Sequence, residues 1–149
     1  MIQIAIVSRR LKEGKTYEDF RKAWYHTTGF GTNNRMYTMI NAFDQREIVV
    51  IGLTETTIER FESQCMIDVK ERIEHSLDDV IEPSIERKFG LLVSEDDFSA
   101  TGSIDYKPPT VLGEETDLMD FARDLKKVAE IISKAASERA RSTDKDPDS

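Results

Sequence analysis

Two stretches, IQIAIV near the start of the chain and EIVVIGL further on, are apolar on both alternations. Successive side chains of a strand point to opposite faces, so a strand with one wet face alternates apolar with polar. Here Ile2, Ile4 and Ile6 form one row, and Ala5 and Val7 form the other. Ile48 and Val50 alternate with Val49 and Ile51, and Phe89, Leu91 and Val93 with Leu92. Strands of this kind need cover on both faces. Any fold for the chain must supply that cover twice.

The rest of the pattern says what the cover is. Gly14 and Lys15 lead to Thr16, a helix N-cap with Asp19 at the third helical position, a short-armed capping box. Tyr17, Phe20, Trp24 and Thr27 then recur at helical spacing, and Gly29 and Gly31 end the helix. RMYTMINAFD and EIVVIGLT flank the polar turn Asp44-Gln45-Arg46 and read as a hairpin. A second capping box, Thr56 to Glu59, opens a helical pattern through Phe61, Cys65, Val69, Ile73, Leu77 and Val80, with a break expected between Gln64 and Asp68. Pro83 is its expected stop, and RKFGLLVSE, residues 87–95, the fourth strand.

Strand, helix, strand, strand, helix, strand is the ferredoxin-like βαββαβ order, an α+β fold with a four-stranded antiparallel sheet and both helices on one face. It occupies residues 1–98. Residues 99–113 are a linker rich in turn formers, residues 114–141 an amphipathic C-terminal helix, and residues 142–149 a polar tail expected to be disordered. The helix carries a stripe of Leu118, Phe121, Ala122, Leu125, Val128, Ala129, Ile132 and Ala136. Two helices cover one sheet face, so the other needs a second subunit's sheet or the terminal helix. We expect the second subunit, with the terminal helix reaching across as an arm clasping the mate.

Composition removes several function classes. A formal net charge of -8 leaves no basic footprint for nucleic acid or an anionic membrane. The single Cys65 admits no internal disulfide and no cysteine metal cluster, and fits a reducing, cytoplasmic setting. The N-terminal apolar run has its basic residues behind it, as expected of a first strand and not of a signal peptide. Neither histidine has a partner at metal-ligand spacing, so no metal site is expected.

In element order, residues 1–98 resemble the dimeric α+β barrel superfamily, which includes antibiotic-biosynthesis monooxygenases, haem-degrading enzymes, polyketide cyclases and the EthD group. The first helix is similar to that of EthD-like proteins, where a Phe and a Trp four residues on precede a His four further. Phe20 and Trp24 match. Thr28 stands at the histidine position, and the histidine that does occur, His26, is two residues early. The resemblance implies a homodimer joined through its sheet faces, with a pocket in each subunit. It also implies cofactor-independent oxygenation or cyclase-like proton transfer on an apolar or aromatic substrate.

The candidate pocket residues are Trp24, His26, Thr28, Tyr37, Asn41 and Arg9, with Ser8 and Thr38 as further strand polar groups. At about 100° per residue His26 lies on the flank of the inward stripe, where a surface or C-capping role is expected. His75 faces water by the same phase, so haem is not expected, and no cofactor is expected. Gly29-Phe30-Gly31 follows a helix instead of opening one, which is capping and not a phosphate loop. Cys65, on an apolar stripe, is expected to be a core residue. The alternative function is a non-enzymatic assembly or regulatory module in which the terminal helix makes the contacts.

Overall fold

Ten residues, apolar on both alternations through Val7, make β1 (Ile2–Leu11), which pairs with two other strands. In the computed structural model, which describes residues 1–25 and 28–144, it is followed by α1 (Tyr17–Trp24), β2 (Asn34–Asn41) and β3 (Asp44–Glu55). α2 (Ile58–Glu74), β4 (Ile81–Leu91), the two-residue strands β5 (Thr110–Val111) and β6 (Glu114–Glu115), and α3 (Leu118–Asp144) complete the chain. The four long strands form one antiparallel sheet in the order β2-β3-β1-β4. The architecture is α+β with three helices, compatible with the ferredoxin-like arrangement.

The pleat of β1 assigns the two faces. Gln3, Ala5, Val7, Arg9 and Leu11 point toward the helices. They lie in register with Thr54, Gly52, Val50 and Ile48 of β3, and with Leu91, Phe89, Arg87 and Ile85 of β4. At one end of this face Leu11, Ile48 and Val50 pack with Phe20 of α1 and with Leu77, Val80 and Ile81. Phe20 is 0 % exposed. On the opposite face Ile2, Ile4, Ile6 and Ser8 align with Glu55, Leu53, Ile51 and Val49, and the apolar residues among them are half-buried.

α1 starts as its sequence dictates. The Thr16 hydroxyl accepts from the Asp19 N–H at 3.2 Å, and Asp19 accepts from the Thr16 N–H at 2.8 Å. The helix ends at Trp24, earlier than Gly29, and Thr27 of the expected stripe lies outside the described residues. For α2 the N-cap is Thr57, one residue beyond the expected Thr56; its side chain accepts from the Arg60 N–H. Thr56 is instead buried, its hydroxyl donating to Gln64. No break interrupts residues 64–68.

The second helix is shorter than its apolar spacing implied. α2 stops at His75, whose N–H donates to the Glu71 carbonyl at 2.8 Å, and Ser76 turns the chain by accepting from the Asp78 N–H at 3.1 Å. Leu77 and Val80 continue a helical spacing but are buried from a turn, closed by Val80 N–H to the Leu77 carbonyl at 2.9 Å. β4 therefore begins at Ile81, not residue 87, and Pro83 lies inside it. The strand is an edge, and its pairing with β1 shifts register between Arg9 and Leu11. An edge bulge is where a residue without an N–H is tolerated.

Part of the expected linker and helix start is a small hairpin. Leu112 and Gly113 both have positive φ, 53° and 79°, the two-residue turn geometry that matches strand twist. Glu95 ties it to the end of β4: its N–H donates to the Thr110 carbonyl, and its carboxylate accepts from the Leu112 N–H at 2.7 Å. Asp117 then caps α3, accepting from the N–H groups of Met119 and Asp120. The helix runs past the expected end through residues 142–144; residues 145–149 of the expected tail lie outside the described residues.

α3 docks on its own chain, against α2 and β4, which corrects the expectation of an arm clasping a mate. Lys134 pairs with Glu62 at 2.6 Å and Arg139 with Asp68 at 3.0 Å, so the two helices run in the same direction. Val128 of α3 is 1 % exposed, while Leu118 and Met119 at the start of the helix remain exposed. The docking is local because the helix follows directly from a hairpin fixed to β4. Full burial of a side chain such as Val128 stabilises by roughly 1.5–3 kcal/mol. A chain ending at Gly113 should unfold at lower urea concentration and bind an apolar dye. Unchanged urea stability would show α3 to be a free appendage.

Candidate functional site

Between the sheet and the helices lies a cavity of about 200 Å³. Its floor is set by small residues at the middle of the sheet: Ala5 of β1 lies opposite Gly52 of β3, and Val7 follows beside them. A Cβ at Gly52 would stand 2.9 Å from the Met36 sulfur, so the missing side chain leaves room for Met36 of β2 to lean over the floor. α2 forms one wall with Phe61, Cys65 and Val69, and α3 closes it with Ile132, Ala135 and Ala136. Trp24, Phe30 and Phe89 bring aromatic surface to its edges. Phe89 is 43 % exposed, at the rim.

Trp24, Phe30, Asn34 and Met36 also line a second hollow, a groove of about 570 Å³ that Tyr25, Thr28 and Thr38 line with them. The Trp24 ring stacks on Phe20, with centroids 5.8 Å apart and planes at 18°. This packing against the core fixes the one tryptophan where cavity and groove meet.

The polar lining is unusual in sign. Among the described residues four guanidinium groups reach the cavity, from Arg9 of β1, Arg72 of α2, Arg87 of β4 and Arg139 of α3, beside a single carboxylate, Asp68. Burial, together with the neighbouring Arg72 and Arg87 charges, pushes Arg9 down to about 10. Its guanidinium carbon lies 5.7 Å from the centre of the Phe20 ring, a cation–π placement. Burial likewise lowers Arg72 and Arg87 below the usual guanidinium range. Burial pushes the Cys65 thiol up to about 11, so it is protonated at neutral pH and is no nucleophile there.

The candidates read from the sequence separate into groups. Arg9 and Trp24 line the cavity, and Thr28 lines the groove with Thr38. Tyr37, paired with Ile51, points to the helix-free face and is 59 % exposed. Asn41 closes the β2–β3 hairpin: it donates to Glu47 at 2.8 Å and accepts from the Phe43 N–H at 2.9 Å. Ser8 donates to the same Glu47. His26 lies outside the described residues. Arg72, Arg87 and Arg139 went unnamed in the sequence reading. The signal for them was a charge sitting where the apolar stripe of its own element continues: Arg72 after Cys65 and Val69, Arg139 after Ile132 and Ala136.

Glu71, buried on α2, holds the loop that edges the groove by accepting from the Thr28 N–H at 3.1 Å. Hydrogen bonds from Thr28 hold its carboxyl below the ordinary carboxylate range. A lowered folded pKa contributes stability that is fully present above the ordinary carboxylate pKa and lost as pH falls through the folded value. The melting-temperature advantage of the parent over Glu71→Gln should be greatest near neutral pH and close on acidification. An advantage that stays constant into acid would mean the charge of Glu71 contributes nothing.

No family model, no curated protein and no solved structure matches the chain.

Proposed function

We propose that the chain is a homodimeric small-molecule pocket protein of the dimeric α+β barrel kind, taking a ligand with an apolar or aromatic body into the cavity beneath Trp24. The observation that carries this reading is the hollow over Ala5 and Gly52. Protein interiors are packed to crystal-like density, and a gap walled by Trp24, Phe61, Val69, Phe89 and Ile132 has the shape and chemistry of a ligand site. For a cyclase-like proton transfer the one carboxylate at hand is Asp68, held by Arg139 at 3.0 Å. Binding is therefore the primary reading, and the resemblance to monooxygenases and cyclases supports catalysis only at the level of fold.

Filling the hollow tests this. Gly52→Val suits a strand better than glycine does and displaces only the flexible end of Met36. It should leave the melting temperature unchanged or raised while abolishing retention of small apolar molecules, read by native mass spectrometry of the purified protein and by quenching of Trp24 emission. Equal retention by parent and variant would remove the cavity from the reading.

The dimer rests on the other face. Ile4, Ile6, Val49, Ile51 and Leu53 form a continuous apolar strip, extended by Tyr37 and by Met39, 51 % exposed. Soluble monomers rarely expose apolar patches beyond roughly 300–600 Å². Arg35, Glu47, Glu86 and Lys88 border the strip with both signs of charge, which suits a two-fold axis bringing unlike charges together. Sedimentation equilibrium should return twice 17.1 kDa. Ile51→Lys, with its charge at the centre of the strip, should return the monomer mass with the helix content intact. A monomeric parent would discard the face-to-face pairing.

A further inference from the structure

We propose that the cavity is an oxyanion site, in which Arg9, Arg72 and Arg139, with Arg87 at the rim, hold the carboxylate or phosphate of a ligand whose apolar or aromatic part lies over Ala5 and Gly52. This rests on the pocket reading above and goes beyond it by fixing the ligand's charge.

Three observations converge. The chain carries 29 acidic against 21 basic residues, yet among the described residues four arginines from four different elements meet at one cavity with one carboxylate. Like charges gathered in a partly buried space oppose folding unless something compensates them. Asp68 is spoken for: one of its oxygens accepts from Arg139 Nη2 at 3.0 Å.

The second observation is unused donors. Arg9 Nε, Arg72 Nη1 and Arg139 Nε are buried and have no hydrogen-bond partner among the described residues. Buried polar groups are nearly always paired, and these three nitrogens, together with Gln64 Nε2 of the same cavity lining, are not, so donors outnumber acceptors around the hollow. A planar fork of N–H donors matches the oxygens of a carboxylate or a phosphate. Burial lowers the pKa of Arg9, Arg72 and Arg87, and the neighbouring Arg72 and Arg87 charges add to the shift of Arg9.

The third is the make-up of the walls. Beside the arginines of β1, β4, α2 and α3 stand apolar side chains, Trp24, Phe61, Val69 and Ile132, and neutral polar ones, Gln3, Thr54 and Gln64. Such a lining suits a ligand with both an acid group and an apolar body. In size, an engineered cavity of about 150 Å³ is known to hold benzene, so about 200 Å³ fits one aromatic ring with a short acid arm.

The test uses the full chain and three probes in calorimetric titration: 3-phenylpropanoate, phenyl phosphate and the neutral 3-phenylpropanamide. One or both anions should bind at least about tenfold tighter than the amide, the discrimination expected of a hydrogen-bonded charge pair. Which anion wins identifies the group. The preference should disappear in both Arg9→Met and Arg72→Gln. Without ligand, both variants should melt at or above the parent temperature, because each removes an uncompensated cation. An arginine kept for structure alone would lower it.

Equal binding of all three probes would overturn the oxyanion assignment and leave the apolar pocket standing. Failure of all three to bind at millimolar concentration would overturn both. An anion preference that survives in both variants would place the anion elsewhere and overturn the assignment, as would variants that melt well below the parent.

Discussion

Everything in this molecule depends on the phase of β1. Its odd-numbered residues face the helices and its even-numbered ones do not, and pairing with β3 and β4 carries that division across the sheet. A slip of one residue would exchange the rows. It would place Ile2, Ile4 and Ile6 under the helices and fill the hollow over Ala5, while Gln3 and Arg9 went to the open face. The phase is secured at both ends. Leu11 and Ile81 anchor one end in the core, and the Met1 amino group donates to the Thr56 carbonyl at 3.0 Å at the other.

Under the helices the sheet is divided between stability and space. Phe20, Ile48, Val50, Leu77, Val80 and Ile81 make a close apolar cluster at one end. Past Val7 and Val50 the residues become small or polar: Ala5 opposite Gly52, Gln3 opposite Thr54, with buried Gln64 above them. α3 turns that weaker end into a walled site. By lying along α2 it adds Ile132 and Ala136 to the lining and carries Arg139 to Asp68. The helix that follows the βαββαβ elements thus supplies one wall of the cavity.

Much of the fold was legible in the sequence because it is written locally. The order of the elements, the Thr16 capping box and the β2–β3 hairpin follow from caps and alternation, although the chain turns at Ala42 and Phe43 and the expected turn residues Asp44–Arg46 open β3. The errors arose where tertiary packing chose between two local possibilities. Leu77 and Val80 keep helical spacing after His75, yet are buried from a turn, and periodicity does not distinguish the two. Pro83 signals a stop in a helix and an edge in a sheet, and only the strand order decides. At the site, Arg9 and Trp24 were found because each interrupts or punctuates its own element. The gathering of Arg72, Arg87 and Arg139 is a property of how α2, β4 and α3 pack, and no spacing within the chain records it. Each was visible alone as a charge on an apolar stripe, and together they form a site.

The two faces of the sheet are not independent. Ile51 on the open face is flanked in β3 by Val50 and Gly52, which face the cavity, and Ile4 and Ile6 flank Ala5 in the same way. A floor made of alanine and glycine has little side-chain mass above it to resist bending of the strands. Its flatness depends on what presses from the other side. In the proposed dimer a second sheet packs against Ile4, Ile6 and Ile51 at a face-to-face spacing of about 10 Å, and stiffens the floor from beneath while the helices hold the walls. The apolar row that needs a partner and the small row that leaves room for a ligand are then two sides of one strand. In the proposed dimer, association of the subunits would thereby be coupled to the shape of the pocket through the pleat itself.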